Sequence, residues 1–278
     1  MLRGIDTAAS GMIALQRKQN ALTNNLANAE TPGFKQDSSP LRSFPEMLLS
    51  RINQNTGMAP KIGTLPMGVY NQETLPLFSQ GSLVSTNLPF DVAINDQALA
   101  PIMENGRSTQ PASFFAVQTA DGGMQFTRNG RFSVNENGQL VTAAGDLVLG
   151  NDGQPIADAE LSGGDIAIQA NGDIIVHPGD PAQARTIGSL GIMVVNDPNQ
   201  LVKKDNGLYG LEGATPAMLA QTLPDGLQLH HKMIEQSNVD LSQTMTDMMA
   251  NIRLYEANQK VLTAYDQTLE QLNTIGRV

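Results

Sequence analysis

Residues 1–28 read MLRGIDTAASGMIALQRKQNALTNNLAN, and residues 239–276 read VDLSQTMTDMMANIRLYEANQKVLTAYDQTLEQLNTIG. In the first stretch Ile5, Ala8, Met12, Leu15, Leu22 and Leu26 recur on alternating steps of three and four, with Gln19 in the remaining slot. That is the spacing of a coiled-coil seam. In the second, Leu241, Met245, Met248, Ile252, Tyr255, Leu262 and Leu269 keep the same spacing, with Gln259 and Asp266 as polar exceptions. Thr31-Pro32-Gly33 ends the first helix, because Pro lacks an amide donor and Gly permits a turn. No Pro or Gly interrupts Val239 to Ile275, so one long helix of up to about ten turns is expected after N-cap candidates Ser237 and Asn238.

Neither stripe can be buried by its own helix, and an isolated amphipathic helix is marginal in water. The economical solution pairs the two ends with each other and packs the pair on further copies. Charge agrees weakly: residues 1–28 carry Arg3, Arg17 and Lys18 against Asp6, while residues 238–278 carry three bases against five acids. Gln19 and Gln259 would supply buried polar layers that fix register. Two ordinary helices on a globular core would be the plainer arrangement.

Working inward, the period changes. Residues 80–235 read as short strands separated by turn signals. Phe114-Phe115-Ala116-Val117 leads through Asp121-Gly122 into Met124-Gln125-Phe126 as a hairpin. Arg131 to Val134 turns at Asn137-Gly138 into Leu140-Val141, and Ile166 and Ile168 turn at Asn171-Gly172 into Ile174 and Val176. Ile187 to Val195 is a further apolar run. Residues 36–79, rich in Pro, Ser, Gln, Asn and Gly, read as an extended linker with a short helical patch near Pro45–Ile52. The expected fold is therefore a mainly β central domain, 80–235, flanked by N- and C-terminal α-helices that pair as a coiled coil. Residues 1–35 and 236–278 form the terminal helical assembly domain.

Composition bounds the function. The 278 residues carry a formal net charge of −10, which repels phosphate backbones and argues against nucleic-acid binding. No Cys is present, which excludes disulfides, thiolate nucleophiles and zinc–thiolate sites. Charged residues break every candidate signal-peptide run, and no apolar stretch is long enough to span a bilayer. His177, His230 and His231 lack a carboxylate cluster, so no metal is expected, and neither Asn151-Asp152-Gly153 nor Asn171-Gly172 fits a calcium loop. No phosphate loop, nucleophile elbow or dinucleotide fingerprint is present. No cofactor and no catalytic residue are expected. Met245, Met248 and Met249 read as core packing, with soft side chains that would also let neighbours re-pack.

Asn24-Asn25-Leu26-Ala27-Asn28-Ala29-Glu30-Thr31-Pro32-Gly33-Phe34-Lys35 closely resembles the N-terminal signature of the flagellar basal-body rod and hook axial proteins. Ser237-Asn238-Val239-Asp240 with Arg253-Leu254-Tyr255-Glu256-Ala257-Asn258 is similar to that family's closing motif. Gly81-Ser82-Leu83, Thr86-Asn87, Phe90-Asp91-Val92-Ala93-Ile94, Phe126 to Phe132 and Gly138 to Thr142 resemble its central motifs in order. One departure stands out: the stretch 95–113 separates Ile94 from Phe114-Phe115, where the family runs straight into a strand, and reads as an insertion.

The resemblance implies a structural subunit, not an enzyme, self-assembling into the axial tube with its β domain outside. It implies export through the flagellum's type III apparatus without a cleaved signal, and an extracytoplasmic place in the basal body. Partners would be other copies and neighbouring rod or hook subunits, with no nucleic acid and no membrane insertion. The terminal helices would order on assembly. The expected assembly interface comprises Ile5, Met12, Leu15, Gln19, Leu22, Asn24, Asn25, Leu26 and Asn28, with Leu241, Met245, Met248, Ile252, Tyr255, Gln259, Leu262 and Leu269. Two alternatives stay open. One is a β-rich coiled-coil surface or tail-fibre protein, which would form parallel trimers through either helix alone. The other is a wall hydrolase using carboxylates such as Asp91 and Glu104.

Overall fold

The computed structural model describes residues 2–44, 47–50, 61–65, 68–104, 107–163, 165–211 and 213–276. The chain divides into two compact units. The first comprises Met1–Ala27, Asp37–Leu77 and Val239–Val278; the second comprises Asn28–Gln36 and Phe78–Asn238.

The first unit holds two helices, α1 (Leu2–Ala27) and α2 (Leu241–Ile275), which contact each other. α2 starts at Asp240, whose carboxylate accepts a hydrogen bond from the Gln243 amide at 2.9 Å. The cap is therefore Asp240 and neither Ser237 nor Asn238. Asn238 is engaged elsewhere, accepting from the Gln36 amide at 2.7 Å and donating to Ser79.

The Pro- and Ser-rich stretch that composition reads as an extended linker carries three nested antiparallel strand pairs in this unit. Asp37–Ser38 pairs with Leu75–Pro76, Leu41–Ser43 with Val69–Asn71, and Met47–Ser50 with Lys61–Leu65. Within the expected helical patch near Pro45–Ile52, residues 47–50 are strand, because their amides pair across a hairpin; residues 45, 46, 51 and 52 lie outside the described residues. Period 2 alternation is absent from this stretch, so pairing, not pattern, makes these strands. α1 packs on strand Val69–Asn71. Asn25 continues the ladder with its side chain, accepting from the Asp37 amide at 2.8 Å and donating to the Asp37 carbonyl at 2.9 Å.

The second unit is β-rich. Its main sheet runs Phe132–Val134, Leu140–Thr142, Leu147–Val148, Ala112–Gln118, Met124–Thr127, Leu208–Gly210 and Val202–Lys203, with Ile192–Val195 also paired to Ala112–Gln118. Both hairpins read from Asp121-Gly122 and Asn137-Gly138 form, with Ala116 opposite Phe126 and Ser133 opposite Val141. The Asn171-Gly172 turn likewise joins Ile166–Ile168 to Asp173–Val176. The run Ile187 to Val195 breaks at Leu190-Gly191 into strands Arg185–Ser189 and Ile192–Val195.

Strand Ala112–Gln118 is apolar without alternation because both its faces are covered. Phe115 and Val117 join Val92, Ile94, Phe132 and Leu140 in one cluster. Phe114 and Ala116 join Phe126, Met193 and Tyr209 in the other. With no Trp, ring contacts such as Phe78–Phe114 at 5.5 Å and Phe115–Phe132 at 5.2 Å carry the aromatic packing. The stretch 95–113 contains an antiparallel pair, Ile102–Glu104 with Arg107–Thr109.

Candidate assembly interface

In the helical unit the two helices meet, but α2 presents a face offset from its apolar stripe. On α1 the buried residues are Ala8, Ala14, Leu15, Leu22 and Asn25, while Ile5, Met12, Gln19 and Leu26 are half-buried and Asn24 is exposed. Gly4 lies beneath Tyr265, whose ring would collide with any Cβ there, and a Cβ on Gly11 would stand 3.3 Å from the Asn258 amide nitrogen. On α2 only Thr244 and Asn251 are buried, with Asp247, Met248, Asn258, Leu262 and Tyr265 half-buried. The face α2 turns to α1 is thus 244, 248, 251, 258, 262 and 265. It shares Met248 and Leu262 with the apolar stripe, while Thr244 and Asn251 stand in for their neighbours Met245 and Ile252.

The pairing runs antiparallel, Gly4 to Tyr265, Gly11 to Asn258, Leu15 and Gln19 to Asn251. The Asn251 side-chain amide donates to the Leu15 carbonyl at 2.9 Å and to Gln19 Oε1 at 2.8 Å. The polar layer therefore forms between Gln19 and Asn251, and Gln259 is exposed. Small α1 residues bring the backbones close enough for a short polar side chain to reach a main-chain carbonyl. A consequence follows for the apolar stripe. Leu241, Met245, Met249 and Ile252 remain 44–56% exposed, on a line rotated by roughly one residue, ~100°, from the packed face. Leu269 is 36% exposed further along.

The second unit holds the part of the signature from Asn28 to Lys35. Asn28, half-buried, lies at its start. Gly33 adopts φ +70 with the backbone of Arg128 and Asn129 2.5 Å from where a Cβ would sit, so only Gly fits both the turn and the approach. Its amide donates to the Glu235 carbonyl at 2.8 Å. Phe34 is buried under Lys203, whose ammonium stands 4.4 Å from the ring centroid.

Lys35, 1% exposed, donates to Glu235 Oε1 at 2.7 Å and to the Ser79 carbonyl at 2.9 Å. Glu235 Oε2 accepts from Arg128 Nε at 2.5 Å, and Arg128 forks onto Asp96 at 2.6 and 2.9 Å. Asp96 also accepts from the Ser113 amide at 3.1 Å, so it joins the two ends of the stretch 95–113. Two bases and two acids thus share one buried site, each polar arm satisfied.

Burial pushes the Lys35 ammonium down, helped by the Arg128 charge and opposed by Glu235. Burial alone would raise the Asp96 carboxyl, but the hydrogen bond and charge of Arg128 hold it below its ordinary value. Burial would lower the Arg128 guanidinium too, yet its bonds to Asp96 and the Glu235 charge hold it above its ordinary range. This cluster was not legible beforehand. Lys35 and Glu235 are 200 residues apart, and only the presence of Lys35 and Arg128 inside recognised motifs hinted at a role.

Among the described residues no group of three or more His, Asp or Glu could hold a metal ion, and no helix is long and apolar enough to cross a membrane. His177 pairs with Asp165 at 3.4 Å, and His231 Nε2 lies 2.7 Å from the Pro89 carbonyl. Asp91 is buried, and the side chain of Glu104 lies outside the described residues.

Three family models match in chain order. Residues 5–35 match the flagella basal body rod protein model, 110–195 the flagellar hook protein FlgE/F/G D1 domain, and 230–275 the flagellar basal body rod FlgEFG protein C-terminal model. The chain is 38% identical over 290 residues to the flagellar hook-basal body complex protein FlhO of Bacillus subtilis, covering 100% of both. It is 32% identical to the flagellar basal-body rod protein FlgF of Salmonella typhimurium over 96% of each chain. It is 30% identical to FlgG of Buchnera aphidicola, covering 99% of this chain and 100% of that one. Matching models at both ends and in the middle, with full-length relatives, lead to one conclusion: the chain belongs to the flagellar basal-body rod protein family, structural proteins of the flagellar basal body.

Proposed function

We propose that this chain is a structural subunit of the flagellar rod that polymerises into the axial tube through its terminal helices. In this reading α1 and α2 pair as a coiled coil, and the pair packs on further copies and on neighbouring rod or hook subunits. The subunit reaches that site through the flagellar type III export apparatus and has no enzymatic role. The observation that carries the proposal is the exposed row Leu241, Met245, Met249 and Ile252 on α2. A helix that has already packed one face and still presents a contiguous apolar row to water is unfinished as a monomer. A like copy can cover that row without new chemistry.

The unfinished pair orders fully once copies cover it. The test is sedimentation and negative-stain imaging of the purified full chain beside a Met245→Glu/Ile252→Glu variant. The wild type forms rod-like polymer above a critical concentration and the variant stays monomeric with an unchanged β unit. A variant that polymerises like the wild type rejects the stripe as the interface. In cells, deletion of the gene leaves basal bodies whose axial structure stops short when imaged; complete basal bodies in that strain reject the rod role.

A further inference from the structure

We infer that Asn251 sets the register of the helix pair. The inference concerns α1 and α2 of one chain, so it goes beyond the assembly reading and stands apart from whether copies polymerise. Each step of seven along α1, from Gly4 to Gly11, is matched by a step of seven back along α2, from Tyr265 to Asn258. A further step of seven back arrives at Asn251, which reaches between Leu15 and Gln19.

The apolar contacts cannot hold this offset alone. Leu15 and Leu22 are a step of seven apart on α1, and Met248, Tyr255 and Leu262 are steps of seven apart on α2. A slip by seven exchanges one bulky side chain for another. Gly4 and Gly11 are equivalent under the same slip, which would bring Gly11 to the place where Gly4 now meets the Tyr265 ring. Asn251 is different. Slipped one way it would face Leu22 and Leu26, and the other way Ala8 and Met12. None of these side chains carries an oxygen or nitrogen acceptor, and the Met12 thioether accepts only weakly, so the amide would be buried without Gln19 Oε1. Its own Oδ1 is already buried without a partner among the described residues. A residue that leaves one polar atom unsatisfied contributes specificity more than strength, as a lone Asn does in coiled-coil seams.

The chain has no Cys, so engineered pairs report register cleanly. Gly11→Cys with Asn258→Cys reads the observed offset, and Gly11→Cys with Tyr265→Cys reads a slip of seven. Each pair is placed in the full-length chain with Asn251, Asn251→Leu or Asn251→Gln, bridged with a short bis-maleimide, and checked for helicity by circular dichroism. With Asn251 only the first pair bridges. With Asn251→Leu the seam gains apolar area and the helices still pair, but the second pair rises from undetectable to a yield comparable with the first. Asn251→Gln, which keeps the amide, returns the product to the first pair. Bridging confined to the first pair in the Leu variant overturns the inference. Loss of both products there also overturns it, because Asn251 would then supply pairing strength instead of register.

Discussion

The two units solve opposite packing problems. The β unit closes its own core: Phe114, Phe115, Phe126 and Val117 are fully buried, and four of its five buried charged residues among the described ones, Lys35, Asp96, Arg128 and Glu235, are paired within the unit, Asp91 being the fifth. The helical unit does not. It places Thr244 and Asn251 against α1 and leaves Leu241, Met245 and Ile252 in water. The difference teaches where to look for a surface that a partner would cover. A closed core marks a folded body, while an apolar row left out of a pair marks a surface meant for something else.

The comparison can be broken most severely at the buried charges. Glu235→Gln removes the carboxylate charge and turns one of the two acceptor oxygens that serve Lys35 and Arg128 into a donor, leaving two cations partly unpaired, so the β unit should lose about 3–5 kcal/mol. Thermal or urea melting of the β signal reads this. A loss within error would mean that the cluster is solvated and the β unit is held by its apolar clusters alone.

Acid sharpens the same point. The folded Asp96 carboxyl lies below its ordinary value of 3.8, so its contribution is fully present above that pH and drains away as pH falls below it. Asp96→Asn should therefore flatten the acid limb of the wild-type stability curve while lowering stability at neutral pH. An unchanged acid limb would assign the loss to other carboxylates.

A smaller effect is expected at the α2 N-cap. Asp240→Ala frees the Gln243 amide and should cost about 1 kcal/mol, read as fraying of the first α2 turn by hydrogen exchange. The smallest change in stability belongs to the exposed row. Ile252→Ser should alter monomer melting by less than about 0.5 kcal/mol, as for an ordinary surface position. The same change should nevertheless raise the critical concentration for polymer formation. If it destabilises the monomer as a core substitution would, Ile252 is packed within the chain and the contrast between units fails.

Much of this was legible beforehand because it is local. Steps of three and four located both helices, and Asp121-Gly122, Asn137-Gly138 and Asn171-Gly172 located three hairpins, since a turn's backbone demand is met by the residues in it. The linker reading of 36–79 shows the reverse: its strands are made by pairing partners up to 39 residues apart, such as Asp37 with Pro76, and no local pattern announces them. Of the expected interface residues, Leu15, Leu22, Met248 and Leu262 do lie on the packed faces, whereas Leu241, Met245, Ile252 and Gln259 face water in the single chain.

By itself the sequence determined the helices, the turns, the acidic surface and the kinship, because each depends on residue type at short spacing. Only the tertiary structure decided that Gly4 and Gly11 would draw α2 in by its Asn251 face, and that Lys35 would find Glu235. Both outcomes depend on which distant groups come within hydrogen-bond reach, and that distance is set by the packing of whole elements.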